Sequence, residues 1–156
     1  MASIQTSLRD ALKTLVDAAK SGYVIGSSVT ESSFFPQENL ESLGSAPQIK
    51  FVAIGWYSNR ERILRNRTSE VDVPCQIAVQ KLVTDITDTD AIDDLVELCE
   101  QVQATVETDI SSPRFSWLRT EPLRDENGLI YSYQRLAMES VFQSVFTPVY
   151  RYISEP

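Results

Sequence analysis

The last strand-forming segment of the chain constrains its fold most. Residues Ser140–Arg151 read SVFQSVFTPVYR, and seven of these twelve residues are β-branched or aromatic. Such density favours a strand over a helix, and the predicted strand covers Leu136–Arg151 and closes a sheet. Pro148 lacks a backbone N–H, which predicts that regular pairing ends near Thr147. The segment carries no group typical of catalysis, which points away from an enzyme.

Two amphipathic helices are predicted from apolar positions that recur every three or four residues. The first covers Ser3–Lys20, with Ser3 as its N-cap and Gly22 as its stop. The second covers Asp90–Glu107 and follows Thr89 as its cap. Its first turn is acidic, which suits the positive end of the helix dipole.

A hairpin is predicted in the centre of the chain. Ile49–Ser58 is apolar on both faces, as in a central strand. Val71–Val83 alternates between two faces, as in a half-buried strand whose other face carries mostly polar residues. A short arginine-rich stretch separates the two, so they should pair antiparallel. Pro74 places the start of the second strand at an edge or before full pairing begins.

These elements predict a single α+β domain over residues 1–156. It consists of a mainly antiparallel sheet of about four strands packed on two helices, with a protruding β-hairpin at about 50–83. A further short strand is predicted at Arg114–Arg119. The segment 21–48 is predicted to be a long loop, with a short strand at Tyr23–Ile25. A loop of this length is unusual in a compact domain, and we expect a neighbouring molecule to order it.

Composition excludes several classes of function. The net charge of −8 argues against wrapping nucleic acid, although it is compatible with a channel through which DNA slides. The chain has no histidine, the commonest general base and metal ligand. It has no apolar run long enough for a transmembrane helix and no signal-peptide pattern. Cys75 and Cys99 lie on apolar faces, and we expect small buried residues in a reducing compartment.

The sharpest motif is a run of four arginines within eight residues of the predicted hairpin. They are Arg60, Arg62, Arg65 and Arg67. Guanidinium groups form bidentate contacts with carboxylates, so one interpretation is that the hairpin contacts an acidic surface of another subunit. The other interpretation, given equal weight, is that the arginines keep an exposed hairpin soluble and protect a strand edge.

The outer face of the second predicted helix carries four acidic residues. They are Asp93, Asp94, Glu97 and Glu100. At helical spacing they are typical of a solvated face rather than of paired catalytic carboxylates. We therefore treat this face as the candidate partner of the arginines across a subunit interface.

No pattern for a catalytic, cofactor-binding or metal-binding site is present. The five glycines are isolated, and no Cys-x-x-Cys, histidine-based or G-x-S-x-G motif occurs. The aspartate-rich stretch Thr84–Asp90 lacks the glycine and the closing glutamate of a calcium loop. We interpret it as a capped connection between a strand and a helix, and we expect no cofactor.

Several segments resemble the tail-terminator and head–tail joining (neck) proteins of tailed bacteriophages. They include the helix Ile4–Ala19, the segment Phe34–Leu40 before a hydrophobic strand, and Arg67–Lys81, which ends in IAVQK. The helix Ile92–Leu98 and the closing strand Phe142–Arg151, which reads FQSVFTPVYR, complete the resemblance. Together these segments cover most of the chain.

The resemblance implies a structural virion protein rather than an enzyme. Such a protein forms a ring, usually a hexamer, at the head-proximal end of the tail, where it terminates the tail tube and joins it to the head connector. The implied partners are copies of itself, the tail-tube protein and the head-completion or connector protein, while DNA passes through the lumen without specific binding. The implied location is the virion neck, after assembly in the host cytoplasm and without a membrane. The alternatives are another neck or tail protein of the same fold, of head-completion or tail-tube type, and a non-viral adaptor or binding domain.

Overall fold

A computed structural model describes residues 3–33, 46–54, 60–63, 68–111, 114–124 and 127–154. In these ranges the helices are α1 (Ile4–Ala19), α2 (Thr89–Val106) and α3 (Tyr133–Glu139), and a 3-10 turn at Lys20–Gly22 follows α1. The strands are β1 (Val29–Ser33), β2 (Gln48–Ala53), β3 (Arg60–Ile63), β4 (Thr68–Leu82), β5 (Ile110–Ser111), β6 (Arg114–Pro122) and β7 (Val141–Ser154).

The strands form one mixed sheet. Their order is β1-β2-β4-β7-β6-β5, and β3 pairs with the start of β4. β1 runs parallel to β2, and the other strand pairs in the described ranges are antiparallel. The sheet curls into a half-barrel.

The prediction of a mainly antiparallel sheet of about four strands on two helices is therefore wrong. Six strands follow one another across a mixed sheet, β3 is attached to β4, and α3 is a third helix. The strands that the sequence did not reveal are short: β1, β3 and β5 have five, four and two residues. So few residues give no clear alternation, and their hydrogen-bonding neighbours in the sheet decide their conformation.

The predicted closing strand is only partly correct. Its first residues form α3, which Ser132 caps through its hydroxyl, and Ser140 ends the helix in the left-handed conformation with φ 56°. β7 then runs to Ser154, so the expectation that pairing stops near Thr147 is wrong. The ladder to β4 keeps one register on both sides of Pro148, from Phe146 opposite Ile77 to Val149 opposite Pro74. The loss of one N–H interrupts this ladder locally without ending it.

The core lies between the helices and one face of the sheet. As predicted, α1 and α2 bury their apolar stripes, and Ser3 caps α1 by accepting a hydrogen bond from the Thr6 amide at 3.1 Å. The cap of α2 is Asp88, one residue before the predicted Thr89. At the centre of the sheet, β7 contributes the buried aromatic residues Phe142, Phe146 and Tyr150 to this core.

The antiparallel pairing of the central hairpin is confirmed, since β2 pairs with β4 with Phe51 opposite Ile77. Pro74 lies just beyond the last of these pairs, Ala53 with Cys75. The expectation that the start of β4 lies at an edge or before full pairing begins is wrong, because residues 69–71 pair with β3 on one side and with β7 on the other. The prediction that β4 is half-buried is wrong. Asp72, Pro74, Ala78 and Gln80, on the face away from the helices, are buried as well. Alternation within one strand does not reveal that its second face is buried as well.

The segment 21–48 contains a strand, but at Val29–Ser33 rather than at Tyr23–Ile25. Tyr23 instead anchors the start of the segment, because its hydroxyl lies 2.6 Å from Thr105 Oγ1 on α2. Residues 34–45 lie outside the described ranges, so the ordering of this part by a neighbour stays a prediction.

Candidate interaction surfaces

The acidic face of α2 points outward, as predicted. Asp93, Asp94, Glu97 and Glu100 are all exposed, whereas Leu95 and Leu98 on the opposite stripe are buried. Among the described residues, none of these four carboxylates forms an ion pair. The face is thus a row of negative charge that no residue in the described ranges neutralises through an ion pair.

The aspartates before α2 are capping groups, in agreement with the interpretation of Thr84–Asp90. The Asp88 carboxylate accepts the Ala91 amide at 3.2 Å, and the Asp85 carboxylate accepts the Thr87 amide and hydroxyl at 2.9 and 2.6 Å. These hydrogen bonds from Thr87 lower the pKa of Asp85. In the ranges that the structure describes, no group of three or more potential ligands is arranged to hold a metal ion.

The structure describes only part of the arginine motif. The backbone of Arg60 and Arg62 belongs to β3, opposite Val71 and Ser69 of β4. The side chains of these two residues, and the whole of Arg65 and Arg67, lie outside the described part of the chain. Contact between these arginines and the acidic face of α2 therefore stays a prediction.

A second basic surface, not identified from the sequence, lies along β6. Arg114, Arg119 and Arg124 are exposed there. Arg119 Nε lies 3.0 Å from Glu121 Oε1, and Arg124 Nη1 donates to the Gly128 carbonyl at 2.9 Å. The recurrence of arginine at five-residue intervals was the available signal, but it matches neither a strand nor a helix period.

A groove of about 610 Å³ lies between α3 and the segment that follows β6. Its lining includes Arg124, Tyr133 and Met138, and a smaller neighbouring cavity of about 220 Å³ is lined by Leu123, Tyr131 and Val145, among others. Leu123, Tyr133 and Met138 are 63%, 53% and 79% exposed, the highest values among the exposed large apolar residues of the described chain. The groove therefore contains one cationic side chain, that of Arg124, with exposed apolar side chains beside it.

Polar groups buried on the second face of the sheet pair across strands. The ammonium of Lys50, which is 3% exposed, bonds to the Glu31 carboxylate directly opposite on β1. Gln80 Nε2 donates to Gln143 Oε1 at 2.7 Å, and the same oxygen accepts from Arg135 of α3. These contacts satisfy buried groups between neighbouring elements and are typical of a structural role.

The two cysteines are free and buried, which confirms the expectation of small interior residues. Burial raises the pKa of both thiols to about 12. Both therefore remain protonated at neutral pH, in a form that is a poor nucleophile.

No helix in the described ranges is long and apolar enough to cross a membrane. The comparisons with protein-family models and with curated protein sequences gave no match.

Proposed function

We propose that this chain is a structural virion subunit that assembles with copies of itself into a ring at the head-proximal end of a phage tail. The ring would terminate the tail tube and join it to the head connector. The proposal follows from the segments that resemble phage neck proteins, in particular the closing strand and the IAVQK run. It does not depend on the prediction of a four-stranded antiparallel sheet.

The observation that best supports assembly is the acidic face of α2. Its four exposed carboxylates have no cationic partner in the described part of their own subunit. A basic surface on a neighbouring copy would complement it, and contacts between two different surfaces on identical subunits close into rings when the rotation allows. The net charge of −8 per subunit suits a lumen that repels phosphate and lets DNA pass.

The test is assembly of the purified chain, measured by sedimentation velocity and negative-stain imaging at low ionic strength. We expect rings, which bind one end of purified tail tubes and leave the tube sides bare. Asp94→Lys/Glu97→Lys should abolish the rings, because it replaces two of the four carboxylates by ammonium groups and so cancels the net negative charge of the acidic face. Rings that bind nowhere on tail tubes would contradict the tail role, and a strictly monomeric wild type would favour the adaptor alternative.

The role of the hairpin arginines is tested separately. Arg62→Glu/Arg65→Glu should prevent ring closure if these residues contact a neighbouring subunit. Rings that form normally in this variant would show that the arginines only protect an exposed hairpin.

A further inference from the structure

We propose that the outer side of β6 and the adjoining side of α3 form the surface that receives the acidic face of α2 from a second copy. This β6–α3 surface consists of Arg114, Arg119, Leu123, Arg124, Tyr133 and Met138. The inference rests on the proposed ring and names, within the described residues, the basic partner of α2.

The composition of this surface is typical of a protein interface. Arginine, methionine and aromatic residues are enriched at the centre of protein–protein interfaces. The three most exposed large apolar side chains of the described chain, Leu123, Tyr133 and Met138, all lie beside the groove. Clustered exposure of this kind marks an interaction site more often than scattered surface residues do.

The position of β6 in the sheet also leaves room for a partner. β7 covers one side of β6 along its length, whereas β5 pairs only with Arg114 and Phe115 on the other side. In the described chain, no strand pairs with the outer side of β6 beyond these two residues. On this side the Trp117 amide donates to Asp109 Oδ1 at 2.9 Å, and the side chains of Arg119 and Arg124 are exposed and accessible to a second molecule.

The charges of the two surfaces are complementary. The exposed carboxylates from Asp90 to Glu100 extend over ten residues of helix, about 15 Å at 1.5 Å per residue. Arg119 lies in β6 and Arg124 two residues beyond its end, and both side chains are exposed. The ion pair of Arg119 with Glu121 is half-exposed, at 49% and 47%, and such surface pairs exchange partners at little cost.

One subunit cannot make this contact with itself. Phe115 and Trp117 of β6 belong to the core side with α2, so the alternation of the strand places Arg114 on the other face. After the register shift, Arg119 lies opposite Val149 of β7, whereas the neighbouring Tyr150 donates its hydroxyl hydrogen to α2. Since the sheet separates Arg114 and Arg119 from α2, a contact of these arginines with the acidic face joins different copies and is head-to-tail, the kind that generates rings or filaments.

The experiment uses two charge reversals in the full chain: Arg119→Glu/Arg124→Glu on β6 and Asp94→Lys/Glu97→Lys on α2. Self-association is measured by sedimentation velocity at low and high salt. We expect each reversal alone to weaken association at least tenfold. An equimolar mixture should restore it, because alternating subunits recover opposite charges at every junction.

Arg9→Glu/Lys81→Glu, which changes the net charge by the same amount and in the same direction as Arg119→Glu/Arg124→Glu but lies outside both surfaces, is the matched control for that variant. Circular dichroism and thermal melting confirm that all variants fold. Wild-type-like association of Arg119→Glu/Arg124→Glu would overturn the inference and leave the proposed ring intact.

Three further results would also overturn it. Loss of association without restoration in the mixture would mean that the β6–α3 surface contacts something other than α2. Restoration by mixing the α2 reversal with Arg62→Glu/Arg65→Glu instead would assign α2 to the hairpin. Absence of self-association in the wild type would overturn both this inference and the proposed function.

Discussion

At the scale of single residues, the interior is fixed by a few polar contacts whose partners are far apart in sequence. The hydroxyl of Tyr150 on β7 donates to the carbonyl of Val106 in the last turn of α2. This carbonyl belongs to the group at a helix C-terminus that has no partner within the helix. The contact thus ties α2 to the centre of the sheet, and burial raises the pKa of the phenol.

Tyr150→Phe should lower the free energy of unfolding by about 1–3 kcal/mol, because it leaves a buried carbonyl without a donor. The measurement is urea denaturation at neutral pH. Tyr152→Phe is the matched control: Tyr152 packs on Phe115, with ring centroids 5.3 Å apart, and its loss of a hydroxyl should cost less than about 0.5 kcal/mol. Equal losses in the two variants would show that the Val106 contact contributes nothing specific.

The carboxylate of Asp17 on α1 makes a second polar contact between two elements. It accepts a hydrogen bond from Thr30 of β1, and Lys13 Nζ and Lys20 Nζ lie at 3.2 and 3.4 Å from its oxygens. The Thr30 hydroxyl is the main cause of a lowered pKa of Asp17, and the two lysines lower it further. The ionised form therefore holds the edge strand β1 against α1.

A lowered pKa in the folded state means that Asp17 stabilises the fold above its unfolded pKa of about 3.9, and that this contribution is lost as the pH falls towards the folded value. Asp17→Asn should lower the free energy of unfolding by less than about 1 kcal/mol at pH 7, since the site is partly exposed. The variant should also lose less stability than the wild type on acidification. Urea titrations from neutral to acidic pH test this, with Asp94→Asn as the control, and identical pH slopes would contradict it.

At the scale of elements, the junction between α3 and β7 decides where the closing strand begins. Ser140 adopts φ 56°, and its amide donates to the Leu136 carbonyl at 3.1 Å while its own carbonyl accepts from Val83 at 2.8 Å. A left-handed residue at this position ends the helix and redirects the chain into the sheet. Serine holds this conformation at a steric cost that glycine would not incur.

Ser140→Gly should therefore raise the free energy of unfolding by up to about 1 kcal/mol, the steric relief being partly offset by the greater freedom of glycine in the unfolded chain. Ser140→Val should lower it by more than about 1 kcal/mol, because a β-branched side chain is poorly tolerated at positive φ. Thermal melting of the two variants measures both effects. A valine variant as stable as the glycine variant would contradict the role of the left-handed turn.

At the scale of the whole molecule, the curled sheet has two buried faces and two separated charged surfaces. The helices cover one face with apolar side chains, while the other buries Lys50, Asp72 and Gln80. Asp72 is opposite Arg151 in the register of β4 and β7, and its Oδ1 lies 3.4 Å from Arg151 Nε. Outside this interior, the acidic face of α2 and the arginines Arg114 and Arg119 of β6 lie on opposite sides of the sheet.

Prediction from the sequence succeeded where one element carries its own signal. The stripes of α1 and α2, the cap at Ser3, the central hairpin and the exposure of Asp93, Asp94, Glu97 and Glu100 all follow from spacing or residue type within one segment. It failed for β1, β5 and α3, which are short, and for the β6–α3 surface, whose residues come from two elements. In α3, Leu136 lies in a run that favours strand, yet the cap at Ser132 and the turn at Ser140 make it helical.

The sequence by itself determined the two long helices, the strand character of Val141–Arg151 and the strongly acidic charge, because these depend on local periodicity and composition. Only the tertiary structure decided that β1 joins β2 in parallel, that β7 continues through Pro148 between two partners, and that the second face of β4 is buried. The physical reason is that strand pairing and sheet curvature join residues from distant segments. The sequence contains the hydrogen-bonding groups of each strand but does not specify which strands pair with one another.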